Sequence, residues 1–282
     1  LDDDSFRKIL QFFNLSWRGY RRVRKGVKRR LAKHMEACGC RSMDEYLQFL
    51  EKNGRANRVA QELLTVSISR FFRDTRLWEV MEKCVIPKTE KSTGTPGAQA
   101  VRAWSAGCSC GEEVYSLKIL WHLLRGKNPH LPSLQILATD SNPEVLRKAQ
   151  MAVYPQSSLK NLPSQVLDEA FFKEGKDFVL REEFKKGIHW KQHDFIREPP
   201  PAQSFHMIFL RNNLLTYYGH TLQTRSLWAI LETLRPEGFL VIGQNETLPV
   251  EPDFLKTCIE YRFIFQKLRH NQQHGDPSTP GA

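Results

Sequence analysis

No long apolar run, few cysteines and an N-terminal stretch without a single acid are the first features of this 282-residue sequence. No segment approaches the ~20 consecutive apolar residues that span a bilayer. The opening Leu1-Asp2-Asp3-Asp4 lacks the basic and apolar regions of a signal peptide, so a cytoplasmic location is expected. Cysteine occurs six times, at 38, 40, 84, 108, 110 and 258, without the spacing of a disulfide scaffold. Reduced thiols are the expectation. What is present is enough to fold: 40% hydrophobic residues, with 17 Phe and 6 Trp, supply one large core or two smaller ones. With 42 Lys+Arg against 31 Asp+Glu, the net charge of +11 calls for an acidic partner, leaving nucleic acid, an anionic surface and an acidic protein open.

Within the acid-free stretch, the basic window from Arg18 to Lys33 includes Arg21, Arg22, Lys25, Lys28 and Arg29. Within it Tyr20, Val23, Val27 and Leu31 recur at spacings of three and four, which predicts a helix with one apolar stripe and cations around the rest. Ser42 followed by Glu45 predicts a capping box opening a second helix that Gly54 ends, and Val59 to Leu64 predicts a third. Residues 1–85 therefore read as a basic helical domain, and the polar, turn-rich 86–100 as a linker. Short apolar runs then alternate with helical patterns. Strands are expected at 101–105, 134–139, 206–210 and 239–242 and helices at 112–124, 142–151 and 221–234, the pattern of a wound α/β sheet over 101–268. Runs at 178–180 and 263–265 predict antiparallel additions. Residues 269–282 have nothing apolar to bury and read as a disordered tail.

The most informative segment is Trp104 to Ser116, where a strand meets the small-residue loop Ala106-Gly107-Cys108-Ser109-Cys110-Gly111 and then a helix opening on Glu112-Glu113. The spacing is not the dinucleotide fingerprint. Two carboxylates at a helix N-terminus repel a pyrophosphate and favour a cationic or zwitterionic ligand. A second element is Ile136 to Asp140, an apolar strand ending in an acid. Asp140 either accepts both hydroxyls of a ribose or caps the following helix. Beside the loop, the ribose reading is the stronger.

Six runs, in order over residues 15 to 267, resemble the CheR-type chemotaxis-receptor methyltransferases: Leu64 to Arg73, Trp104 to Ser116, Ala138-Thr139-Asp140, Arg211-Asn212, Leu234 to Gly238 and Gly243 to Glu246. The resemblance implies an α/β fold with a small all-helical N-terminal domain, then a class I S-adenosylmethionine (SAM) methyltransferase domain with a Rossmann-like, mostly parallel sheet. It implies methyl transfer to a protein glutamate, giving a γ-methyl ester and S-adenosylhomocysteine, with no metal. By the same resemblance Glu113 holds the methionine amino end, Asp140 the ribose, and Asp194 a position near the adenine. Ser67, Ser69, Ala106, Gly107, Gly111, Arg211 and Asn212 complete the expected cofactor set. Arg73 would orient a carboxylate in the cleft. Tyr217 has two readings, a ring or hydroxyl against the sulfonium methyl and a half-buried core tyrosine.

Some positions depart from the family pattern. Ser67 and Ser69 replace an Asn and a Thr, Val114 replaces a Pro, Asn245 replaces a Ser, and the segment after Asn212 is longer by one residue. An acidic helical protein, docked on Arg21, Arg22, Lys25, Lys28 and Arg29, is the expected acceptor. The competing reading places phosphates of a nucleic acid on that helix; only Tyr20 interleaves aromatically, and no Asn-Pro-Pro-Tyr-like motif occurs. Residues 173–190 predict a solvated hairpin. His34, Cys38 and Cys40 match no usual zinc spacing.

Overall fold

The computed structural model describes residues 1–66, 69–92 and 100–269. Four helices come first: α1 (Asp3–Phe12), α2 (Arg24–Ala37), α3 (Met43–Lys52) and α4 (Gly54–Leu64). They bury one apolar cluster that includes Phe6, Tyr20, Val27, Leu31, Tyr46, Leu50 and Leu64. The capping box forms as expected, with Glu45 N–H donating to Ser42 Oγ at 3.2 Å and Ser42 N–H to Glu45 Oε2 at 3.3 Å. Gly54 does not simply end that helix. It starts α4, and Asn53 caps it by accepting from Ala56 N–H at 3.0 Å.

The basic helix starts at Arg24, six residues after the basic window begins at Arg18. A 3-10 turn occupies Trp17–Tyr20, and Arg21 and Arg22 lie in the turn before α2. The reason is main-chain docking on a distant segment. Ser16 N–H donates to the Tyr217 carbonyl at 2.7 Å and Gly219 N–H to the Asn14 carbonyl at 2.9 Å. A Cβ at Gly19 would collide with the Thr216 carbonyl. These backbone groups are spent between segments and not on an earlier helix start.

The chain continues as α5 (Thr75–Val80), a π-helical stretch (Met81–Val85) and α6 (Ile86–Ser92). Leu77, Trp78, Val80, Met81, Val85 and Ile86 are buried in the core of the sheet that follows. A boundary at residue 85 and a linker from 86 are therefore corrected: 86–92 is helical, and the segment from 75 onward packs with the second unit. The rest of the expected linker, 93–99, and the tail from 270 lie outside the described residues.

The second unit runs β1 (Val101–Ala106), α7 (Glu112–Lys127), β2 (Leu134–Asp140), α8 (Pro143–Met151), β3 (Val153–Pro155), α9 (Ser164–Ala170), β4 (Phe171–Glu174), β5 (Asp177–Leu180), β6 (Ile188–Gln192), β7 (Phe205–Leu210), α10 (Leu214–Tyr217), α11 (His220–Glu232), β8 (Leu234–Ile242), β9 (Leu255–Thr257) and β10 (Ile264–Lys267). Seven strands form one sheet in the order β6-β2-β1-β7-β8-β10-β9. The first five are parallel, and β10 and β9 add antiparallel. Alternate side chains of β1 face opposite cores: Val101 and Ala103 join one cluster, Trp104 and Ala106 the other. The expected strand at 178–180 is antiparallel but belongs to a separate small sheet, β3-β5-β4, where β4 and β5 form a hairpin over 171–180. The hairpin expected over 173–190 is thus corrected: the rest of that window runs through a 3-10 turn at Glu182–Lys185 into β6 of the main sheet.

Chain order reverses between β1 and β7. β2 and β6 lie on one side and β8 on the other, so a crevice opens above the carboxyl ends of β1 and β7.

Candidate active site

The loop after β1 enters the crevice through Gly107, whose φ is +82°. Its N–H and that of Cys108 both donate to the Thr139 carbonyl at 2.8 Å, tying the loop to the end of β2. A Cβ on Gly107 would run into the Asn213 side-chain amide. Gly107→Ala therefore combines left-handed strain with a steric clash. We expect it to weaken S-adenosylhomocysteine binding by at least ~10-fold, a loss of ~1.4 kcal/mol, in calorimetry. From β2, Asp140 faces the same loop. Its Oδ2 accepts from Ser109 N–H at 2.9 Å and its Oδ1 from Asn142 N–H at 3.0 Å, leaving each oxygen with further acceptor capacity. Burial raises the Asp140 pKa, and these N–H donors offset part of that rise. The hydroxyl of Ser109, a residue of the cleft lining, is buried without a hydrogen-bond partner of ordinary geometry among the described residues.

Glu113, on the first turn of α7, accepts from Ser105 Oγ at 2.9 Å and from Arg211 Nη1 at 2.8 Å. Arg211 follows directly on β7, and its other terminal nitrogen binds Asp74 Oδ2 at 2.5 Å. The Arg211 side chain is only 4% exposed. Burial opposes its charge, but Glu113 and Asp74 outweigh burial and raise its pKa. Glu112, beside Glu113, turns into the interior; burial raises its pKa, and the Ser69 hydroxyl bonds it.

The segment after β7 is braced from below by Glu246. This buried carboxylate accepts from Asn212 N–H at 3.0 Å, Gly243 N–H at 2.6 Å and Thr216 Oγ at 2.5 Å. Burial raises its pKa. Asn212 takes a φ of +57°, and Asn213 donates to the Ala106 carbonyl, which joins this segment to the loop after β1. Tyr217 then packs against Tyr20 of the helical unit, with ring centroids 5.1 Å apart. Burial raises the Tyr217 pKa and pushes that of Tyr218 up to about 12, so both phenols stay neutral.

These segments enclose one cleft of about 1160 Å³ between the sheet edge and the helical unit. Glu113 and Asp140 line its floor, Phe195 and Ile196 supply apolar surface, and Arg55, Arg58, Arg70 and Arg73 line the side formed by α4 and the segment after it. On that side the four arginines outnumber Glu62, and on the sheet side Glu113, Asp140, Asp194 and Glu198 outnumber Arg197 and Arg211, so the cleft is divided in net charge.

The family model for "CheR methyltransferase, SAM binding domain" matches residues 67–263. The chain belongs to the CheR methyltransferase family. A chemotaxis protein methyltransferase of Listeria innocua is 30% identical over 240 residues, covering 84% of this chain and 87% of that protein. Similar proteins from Borreliella burgdorferi and Pseudomonas aeruginosa are each 28% identical over 228 and 232 residues, covering 79% and 80% of this chain and 80% and 83% of their own lengths.

As a CheR family member the protein is a SAM-dependent methyltransferase, and the cleft fits that methyl donor. SAM carries a sulfonium and an ammonium, which the carboxylates of Glu113 and Asp140 match in charge, and the orphaned Ser109 hydroxyl offers a further polar contact. Of the residues expected to bind the cofactor, Ser69, Arg73, Gly107, Glu113, Asp140, Asp194, Arg211 and Asn212 line the cleft, as does Tyr217. Asp194 also accepts from Ile196 N–H at 3.0 Å, shaping the turn that presents Phe195. Ser67 lies outside the described residues.

Arg211 lines the cleft with its terminal nitrogens on Asp74 and Glu113 and its Nε without a hydrogen-bond partner among the described residues. Two expected cofactor contacts are corrected and lie outside the cleft lining. Ala106 is buried with its carbonyl taken by Asn213, and Gly111, at φ +87°, packs on Ala149 and Trp190 as α7 begins. Both shape the loop from outside the cleft lining. Of the expected docking residues, none of Arg21, Arg22, Lys25, Lys28 and Arg29 lines the cleft itself, and Lys28 pairs with Asp3 at 2.9 Å. Arg55, Arg58, Asp74, Asn213 and Glu246 carried no role in the sequence. Asp74 follows Arg73 directly, and Glu246 closes a quoted family run; those were their only signals.

Proposed function

We propose that this enzyme transfers the methyl group of SAM to a glutamate side chain of a signalling-receptor protein, giving a methyl ester and S-adenosylhomocysteine. The observation that carries this reading is the charge division of the cleft, with Arg55, Arg58, Arg70 and Arg73 facing the same space as Glu113 and Asp140. When bound, SAM supplies a methyl group on a positively charged sulfur. Asp140 takes the ribose hydroxyls, Glu113 the ammonium, and the Phe195 turn with Asp194 the adenine. A glutamate acceptor is already ionised at pH 7, so no side chain need act as general base. What the protein supplies is alignment and exclusion of water. Arg73, half-buried at the junction of the two units, directs the acceptor carboxylate by charge-assisted hydrogen bonds, and Tyr217 closes that side.

The acceptor is an acidic segment, because it must pass exposed Arg55 and Arg58, which lie one helical turn apart on α4. Reversing both to Glu is expected to raise KM for an acidic protein acceptor by at least ~10-fold, about 1.4 kcal/mol, while leaving KM for SAM within twofold. The same reversal at Arg22, Lys25 and Arg29, outside the cleft, is expected to change KM less. Equal effects of the two sets in steady-state kinetics would remove α4 from acceptor recognition.

A further inference from the structure

The cluster around Arg211 holds more than a tie between two chain segments. Arg211 stands between two carboxylates, with Nη1 on Glu113 Oε2 at 2.8 Å and Nη2 on Asp74 Oδ2 at 2.5 Å. Asp74 side chain is 15% exposed and Glu113 16%, so the group is largely withdrawn from water. Asp74 comes from the segment that leads from Arg73 into α5, 137 residues before Arg211. Its backbone is left-handed, φ +62° and ψ 68°, a conformation found mainly at glycine, asparagine and aspartate. Its side chain makes no capping bond to α5. The carboxylate is directed to Arg211 instead.

We propose that Asp74 is a positioning residue for the amino acid end of SAM, acting by holding one Arg211 nitrogen away from Glu113. A guanidinium and a carboxylate free to choose form a two-bond fork. In that fork both Glu113 oxygens would be drawn onto Arg211, and its charge would be neutralised. With Asp74 in place, Arg211 gives Glu113 one nitrogen only. The other Glu113 oxygen accepts from Ser105 Oγ at 2.9 Å, and the carboxylate keeps acceptor capacity toward the cleft it lines. Two acids against one cation leave a negative charge that the ligand's ammonium neutralises. The inference rests on the assignment of that ammonium to Glu113.

The test compares two ligands in calorimetry, S-adenosylhomocysteine and 5′-methylthioadenosine, which lacks the amino acid portion. Asp74→Asn isolates the charge, because Asn tolerates left-handed backbone as Asp does. It is expected to weaken S-adenosylhomocysteine about 10-fold, equal to ~1.4 kcal/mol, while methylthioadenosine stays within twofold. Asp74→Gly, which also accepts this backbone, is expected to show the same pattern and serves if Asp74→Asn folds poorly. Glu113→Gln should discriminate the ligands in the same way, and combining it with Asp74→Asn should add little, since the two act in series. If Asp74→Asn weakens both ligands equally, or neither, while Glu113→Gln discriminates, Asp74 is structural and the inference fails alone. If Glu113→Gln treats both ligands alike, the ammonium assignment falls and the inference with it.

Discussion

Asp140→Ala is expected to abolish measurable S-adenosylhomocysteine binding, a loss of at least ~100-fold if two charge-assisted hydrogen bonds worth ~1.5–3 kcal/mol each disappear. The residue closes β2 and braces the loop after β1 through Ser109 N–H, so its removal takes away ligand acceptors and loop order together. The fold should survive, because the carboxylate joins two loops and not two cores, and a melting curve beside the calorimetry checks that. The pH dependence has a definite sign. Burial raises the Asp140 pKa, so in the free protein the carboxylate takes up its proton at a higher pH than an ordinary aspartate. Affinity is therefore expected to decline on acidification at a pH above the usual aspartate range. Unchanged affinity in the variant would remove the ribose assignment.

Arg211→Met is expected to have the largest effect on stability, about 3–5 kcal/mol, because it leaves two largely buried carboxylates without their cation. Asp74 and Glu113 would face each other's charge across the vacated space, and the tie from the α5 segment to the end of β7 would be lost. Arg211→Lys keeps the charge but not the planar fork, so it should recover only part of the loss. The midpoint of guanidinium unfolding measures both. A change below 1 kcal/mol for Arg211→Met would show that the ion cluster does not hold the α5 segment to the end of β7.

Which parts of this were legible in the sequence follows from how local their causes are. β1, β2, β7 and β8 could be read because strands buried on both faces are continuous apolar runs. β6 could not, since it lies at the sheet edge and its five residues are only half-buried or exposed. The α2 start was misplaced because Asn14 to Gly19 spend their backbone on Thr216 to Gly219, a contact that no local periodicity records. The same holds for the site. Gly107, Glu113 and Asp140 stand on a strand-loop-helix pattern and a strand end, both local signals. Asp74 and Arg211 are 137 residues apart, and their pairing exists only in the fold. The excess positive charge was visible at once, but packing decides which cations face the cleft. Arg55 and Arg58 of α4 line it together with Arg70, Arg73, Arg197 and Arg211, while Lys28 of the basic helix is bound to Asp3.

The central claim is that the methyl group ends on a carboxylate of a protein. Methyl-labelled SAM, incubated with the enzyme and an acidic signalling-receptor protein, tests it most directly through the fate of the label in mild alkali. The account predicts label on the protein, insensitive to nuclease and released as volatile methanol, because carboxyl methyl esters hydrolyse under these conditions. Label that stays on the protein through alkali, or that nuclease removes, would contradict it.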